Sequence, residues 1–204
     1  RAVRPGGRVD AVDLSAPLLG VAAGRAAAED LPLRTHVADV VAFGAPGSYD
    51  LAVCVMGIFF LPDVDAGGRH LLDVLRPGGR LCVSVWAEGA MVEAMRPLAE
   101  AVARVRGEEV APAGSMGGLG TAEGLAGWAR RLGAVDVAVT SHPLHVPLDG
   151  VLAGALVDGT AAQALLTGLD APARAAVRAE VVARLGGARP VLTATSLVVT
   201  GRRP

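Results

Sequence analysis

Three short stretches of this 204-residue chain carry residue types suited to holding a small polar ligand. In Val9-Asp-Ala-Val-Asp-Leu-Ser15, the acidic Asp13 closes a mostly apolar run. A carboxylate offers only hydrogen-bond acceptors, so it can take two neighbouring hydroxyls of a sugar at once. Asp also closes turns by bonding nearby backbone amides, and position alone does not separate the two roles. Asp39, after Thr35-His-Val-Ala38, is open to the same pair of readings, as an acceptor for a ligand amino group or as a turn former. The third stretch is Val55-Met56-Gly57, at the end of the most hydrophobic run in the chain. Gly57 lets a ligand approach the backbone, while Met56, Phe59 and Phe60 supply apolar surface to a ligand or to the core. His70, His142 and His145 are the candidate proton acceptors. Each stands alone without a partner pattern, so no catalytic residue is assigned. His36 lies inside a predicted strand and reads as structural.

The elements around these residues alternate. Arg8–Leu14 reads as a strand, followed by a helix over Ala16–Asp30 with Ser15 as its N-cap and Pro17 in its first turn. Leu33–Ala38 is a second strand. Tyr49–Met56 is a third, whose continuous apolar character predicts burial on both faces. A helix over Val64–Leu75 is stopped by Arg76-Pro-Gly-Gly79, and Arg80–Trp86 is a fourth strand. Helices are expected over Val92–Arg106 and Thr121–Leu132, with a loop over Glu108–Gly120 between them and a strand over Val135–His142 after them. Leu152–Leu166 and Ala171–Leu185 read as helices outside the alternating core, and Val191–Thr200 as the closing strand. Short buried strands alternating with amphipathic helices predict a parallel α/β sheet, with its ligand site at the carboxyl ends of the strands. Residues 1–204 read as one domain, with 150–190 a helical insertion or cap.

Composition narrows the function classes. Hydrophobic residues make up 52% and charged residues 19%, a globular balance. The net charge of −1 gives no footprint for nucleic acid or anionic lipid, and no apolar run approaches membrane-spanning length. The chain contains no lysine. That excludes a phosphate-binding loop built on lysine, a Schiff-base lysine and a Tyr-x-x-x-Lys reductase site. Cys54 and Cys82 lie in apolar runs and lack metal-ligand spacing, so they read as buried free thiols in a cytoplasmic protein with no metal.

Taken in order, these stretches resemble class I S-adenosylmethionine-dependent methyltransferases. Val9–Ser15 is similar to that family's second motif and His36-Val-Ala-Asp39 to its third. Tyr49–Cys54 with Met56–Asp63 is similar to the fourth strand and its loop. Leu72-Asp-Val-Leu-Arg-Pro-Gly-Gly-Arg-Leu-Cys-Val-Ser-Val-Trp86 is the most specific match, a helix, a Leu-x-Pro-Gly-Gly turn and the fifth strand. Glu123–Val137 resembles the helix and sixth strand that follow. The resemblance implies a Rossmann-like, doubly wound, mostly parallel sheet with an antiparallel last strand and a helical insertion before it. It implies S-adenosyl-L-methionine as cofactor and a small-molecule acceptor. Asp13 would bind the ribose diol, Leu14 would pack on the adenine, and Ala38 and Asp39 would hold the adenine edge. Val55, Met56 and Gly57 would line the sulfonium and methionine side, while Pro77-Gly78-Gly79 would be a structural turn. The family's glycine-rich loop and the strand before it, central between those ending at Asp13 and Met56, would lie upstream of Arg1. The natural protein is therefore expected to be longer at its N-terminus.

Two other readings compete. A nicotinamide-dependent reductase also uses an acidic residue after its second strand, but the Leu-Arg-Pro-Gly-Gly element and the missing lysine argue against it. A non-catalytic methyltransferase-like fragment draws its support from the missing glycine-rich loop.

Overall fold

Two polar side chains start the helices that the sequence predicts. Ser15 Oγ accepts from the amide of Leu18, and Thr121 Oγ1 from that of Gly124, satisfying amides that the first helical turn leaves bare. In the computed structural model, described for residues 6–110, 118–159, 161–188 and 190–204, these caps open α1 (Ala16–Ala28) and α4 (Ala122–Arg131). The remaining helices are α2 (Val64–Asp73), α3 (Val92–Arg106), α5 (Gly150–Gly159) and α6 (Ala171–Ala188). The strands are β1 (Val9–Asp13), β2 (Leu33–Val37), β3 (Tyr49–Val55), β4 (Leu75–Trp86), β5 (Val135–His142), β6 (His145–Pro147), β7 (Val191–Thr193) and β8 (Ser196–Arg202). The expected helix end over Arg1–Arg8 and the middle of the Glu108–Gly120 loop fall outside the described residues.

The strands form three sheets. β1 pairs with β2 in parallel. The main sheet runs β3-β4-β8-β5, with β3 and β4 parallel and β8 antiparallel to both of its neighbours. β6 and β7 form a small antiparallel pair. The α/β architecture and the antiparallel last strand agree with the sequence reading. Among the described residues, none forms a strand between β1 and β3, so one edge of each is unpaired.

α2 and α4 cover one face of the main sheet. Ile58, Leu75, Leu81, Val83, Val85, Leu125 and Trp128 meet there, each at most 1% exposed. Gly67 and Gly68 permit the close approach of α2. A Cβ on Gly68 would come within 2.5 Å of Trp128 Cζ2, and closer still to Leu132 Cδ1. The Trp128 indole N–H donates to Asp65 Oδ1 at 2.9 Å, satisfying the one polar atom of a buried ring. A second core lies under α3, α5, α6 and the β6–β7 pair, with Leu98, Val102, Leu148, Val177 and Val181 at its centre.

Four expectations need correction. β3 is not buried on both faces. Ala52 is buried, but Leu51, Val53 and Val55 are 52%, 51% and 71% exposed, because only one face of this strand carries helices among the described residues. Cys54 and Cys82 are correspondingly half-buried; both are free. They face opposite sides of the sheet, since Cys54 pairs with Val83 and Cys82 with Val53, which rules out a bridge between them. Arg76-Pro-Gly-Gly79 does not lie ahead of the strand but is a bulge within β4. Tyr49 pairs with Leu75 and Leu51 with Arg80, so four residues are looped out opposite one. Gly78 takes φ 75°, and its amide donates to the Arg203 carbonyl at 2.8 Å. Finally, Val191–Thr200 is two strands rather than one. The chain changes sheets at Ala194–Thr195, where Ala194 donates to the Leu144 carbonyl and the Thr195 carbonyl accepts from Ala87.

The packing at Gly68 predicts opposite outcomes for two Gly→Ala changes. Both gain helix propensity, worth about 1 kcal/mol. Gly68→Ala must also displace a buried indole, an overpacking penalty of about 1–3 kcal/mol, so its net effect is a lower melting temperature. A Cβ on Gly127 in α4 meets only Arg131 Nη1 at 3.5 Å, so Gly127→Ala raises the melting temperature. Calorimetry of the two variants against wild type checks the pair.

Candidate functional site

β1 delivers Asp13 and Leu14 to its carboxyl end. The Ser15 amide donates to Asp13 Oδ1 at 2.7 Å, which fixes the carboxylate's direction. Oδ2 of Asp13 bonds none of the described residues. Leu14 beside it is 75% exposed. β2 ends alongside in the same register. Val37 pairs with Asp13, and the Ala38 amide donates to the Asp13 carbonyl at 3.2 Å. Asp39 then caps a single 3₁₀ turn, its Oδ1 accepting from the Val41 amide at 3.0 Å. The turn-forming and ligand-holding readings of both acids are therefore compatible, because one oxygen serves each turn and leaves the other open.

Val55, Met56 and Gly57 end β3, in the other sheet. Met56 adopts φ 51°, a left-handed conformation uncommon outside glycine. Its amide donates to Ser84 of β4, to the carbonyl at 3.2 Å and to Oγ at 3.1 Å. Ile58 is fully buried and Phe60 is 65% exposed, so the segment anchors one side chain in the core and leaves an aromatic ring bare. The structure thus brings Asp13, Leu14, Ala38 and Asp39 together on one sheet and places Val55–Gly57 on the facing edge of the next.

Those two edges are joined by a cluster that sequence reasoning did not single out. The Asp10 side chain is 6% exposed and accepts three hydrogen bonds, from the Tyr49 hydroxyl at 3.1 Å, the Arg8 Nε at 3.2 Å and His36 Nε2 at 3.0 Å. The bond to His36 leads in holding the Asp10 carboxyl below its usual range. Burial opposes it, and Tyr49 and Arg8 reinforce it. Burial, then the neighbouring carboxylate, pushes the Tyr49 hydroxyl up. An acid inside a strand with a histidine on the next strand was the available signal, but Tyr49 lies 39 residues away and joins only through the fold.

Two of the three candidate histidines have partners elsewhere. His70 Nε2 donates to the Phe43 carbonyl at 2.7 Å, and His142 Nε2 sits 2.9 Å from Thr140 Oγ1 on the surface of β5. An open concavity of about 480 Å³ lies beside the middle of β4 among Leu51, Val53, Cys82, Thr200 and Arg202. It contains none of the candidate residues, and the ligand reading therefore rests on the strand ends.

Comparison with known proteins agrees with this fold. Residues 1–79 match the methyltransferase domain family. An uncharacterized Mycobacterium tuberculosis protein is 32% identical over 139 residues, covering 61% of this chain; the chain spans about half, 51%, of that relative's length. Among solved structures, a proposed methyltransferase of Bacillus halodurans superposes with TM-score 0.58 at 12% identity, covering 97% of this chain and 84% of that one. Phosphoethanolamine N-methyltransferase 2 of Haemonchus contortus, solved with S-adenosyl-L-methionine, superposes with TM-score 0.53 at 18% identity, covering 97% of this chain and 43% of that one.

The Asp10 cluster sets an expectation for acid stability. A carboxyl held below its ordinary 3.8 contributes stability that is fully present above that value and is lost as pH falls through the lowered one. Urea midpoints measured from pH 7 down to pH 2.5 will fall steeply at the acid end in wild type and less steeply in Asp10→Asn. Tyr49→Phe, which removes one bond to the carboxylate, will move the acid loss to higher pH.

Proposed function

This chain has the class I S-adenosylmethionine-dependent methyltransferase fold, and from that premise we propose that its protein binds S-adenosyl-L-methionine and methylates a small-molecule acceptor. The observation that carries the proposal is the Asp13 carboxylate, set by the Ser15 amide with Oδ2 open and the bare Leu14 side chain next to it. This donor set fits an adenosine. Asp13 takes the ribose hydroxyls, Leu14 covers one face of the base, and Ala38 and Asp39 border its edge. Val55, Met56 and Gly57 border the methionine arm.

The cofactor, when bound, supplies an already activated methyl group on a sulfonium. What remains for this chain is alignment of donor and acceptor, a contribution that can reach several kcal/mol when the reacting atoms are held in line. We assign the unit of α3, α5, α6 and the β6–β7 pair, including the helical segment 150–190 of a single 1–204 domain, to the acceptor side. It is tied to the chain just beyond β4 by Met91, whose amide donates to the Thr193 carbonyl at 2.7 Å. No described helix is long and apolar enough to cross a membrane. A cytoplasmic location goes with this reading.

Isothermal titration tests it. S-adenosylhomocysteine and S-adenosyl-L-methionine will bind the wild-type protein, while Asp13→Ala will weaken both by about ten- to a hundredfold, the scale of a charged hydrogen bond. Binding of a nicotinamide dinucleotide in their place would overturn the proposal. A folded protein that binds none of these would favour a non-catalytic role.

A further inference from the structure

The turn after β3 is held from within by two side chains that no ligand reading had included. Ser84 lies in β4 between Val83 and Val85, both fully buried, and is itself 8% exposed; it is the one buried polar residue among those described. Its hydroxyl and carbonyl both receive the Met56 amide. The amides of Gly57 and Ile58 oppose the burial that pushes the Cys54 thiol up, which sets its sulfur beside the same turn. The Met56 amide is thus drawn onto Ser84, and the sulfur of Cys54 lies against the same turn from the opposite face of the sheet, since Val55 pairs with Ser84 and Cys54 with Val83. Gly57 fits the same arrangement, since a Cβ there would come 3.2 Å from Cys54 Sγ.

Without these bonds the turn would relax. A methionine at φ 51° is strained by about 1–3 kcal/mol and keeps that conformation only where its surroundings fix it. The fixed turn also has a chemical sign. The Met56 amide is consumed, and the carbonyls of Gly57 and Ile58 are taken by the amides of Phe60 and Leu61. The Met56 carbonyl and its soft thioether side chain remain for a ligand. Both complement a cation and neither suits a carboxylate.

We infer that Ser84 and Cys54 are positioning residues that hold the Met56–Ile58 turn in the shape that receives the ammonium group of the cofactor's amino-acid arm. The inference rests on the cofactor reading above and assigns a role to side chains that themselves touch no ligand. Ser84→Ala removes the hydroxyl acceptor and Cys54→Ala the sulfur. Ser84→Thr and Cys54→Ser restore an acceptor at each place.

The test is titration of two ligands into wild type and these four variants. S-adenosylhomocysteine carries the amino-acid arm; adenosine lacks it and reports on the Asp13 end alone. Each alanine variant should weaken S-adenosylhomocysteine by about three- to tenfold, the scale of a neutral hydrogen bond, and leave adenosine within twofold. The threonine and serine variants should bind both ligands like wild type. Equal loss of both ligands, without rescue by Ser84→Thr or Cys54→Ser, would show a merely structural role and overturn the inference. Unchanged S-adenosylhomocysteine affinity in Ser84→Ala would overturn it as well. If wild type bound neither ligand, the cofactor reading itself would fall and this inference with it.

Discussion

The Asp10 carboxylate holds together two sheets that share no backbone ladder. β1 and β2 carry the acids at the candidate site, and β3 and β4 carry the turn opposite them. Tyr49 reaches from the first residue of β3 to an acid on β1, and His36 and Arg8 fix that acid from its own sheet. A partly buried carboxylate with three donors is well satisfied, and removing one donor leaves a partly desolvated charge less well matched. The separation between Asp13 and Met56 is therefore governed at the far end of the same strands, by residues that take no part in the site.

Local chemistry made much of the fold legible. Ser15 and Thr121 cap as their types dictate, and the alternation of short apolar runs with helices gave the α/β class. The strand-end positions of Asp13, Asp39 and Met56 were also readable, because an acid or glycine closing an apolar run is a signal contained in a few neighbouring residues. The helix and turn over Leu72–Gly79 were readable for the same reason, although the turn proved to be a bulge inside β4, pinned to the Arg203 backbone.

What was not legible depends on partners distant in sequence. Burial of β3 was inferred from its apolar composition, yet composition cannot tell which faces receive a helix, and Leu51, Val53 and Val55 lie bare. Splitting of the Val191–Thr200 run depends on which strand each half meets. Val191 finds Pro147, and Ser196 finds Trp86 and His142. Ser84 drew no notice as one polar residue in an apolar strand. Its role exists only because β3 places the Met56 amide beside it.

The position of β8 has a further consequence, in the order of assembly. β8 is the last of the described strands in chain order, yet it lies in the middle of the main sheet, between β4 and β5. Until it is made, β5 has no neighbour, and β4 shows a bare edge of alternating valines and polar residues. The pairing it supplies spans more than a hundred residues, from Val83 to Val199. Contacts of such separation close slowly, so the β3–β4 pairing can form well before β8 joins it. Until β8 joins, the open edge of β4 is a template for pairing with another chain.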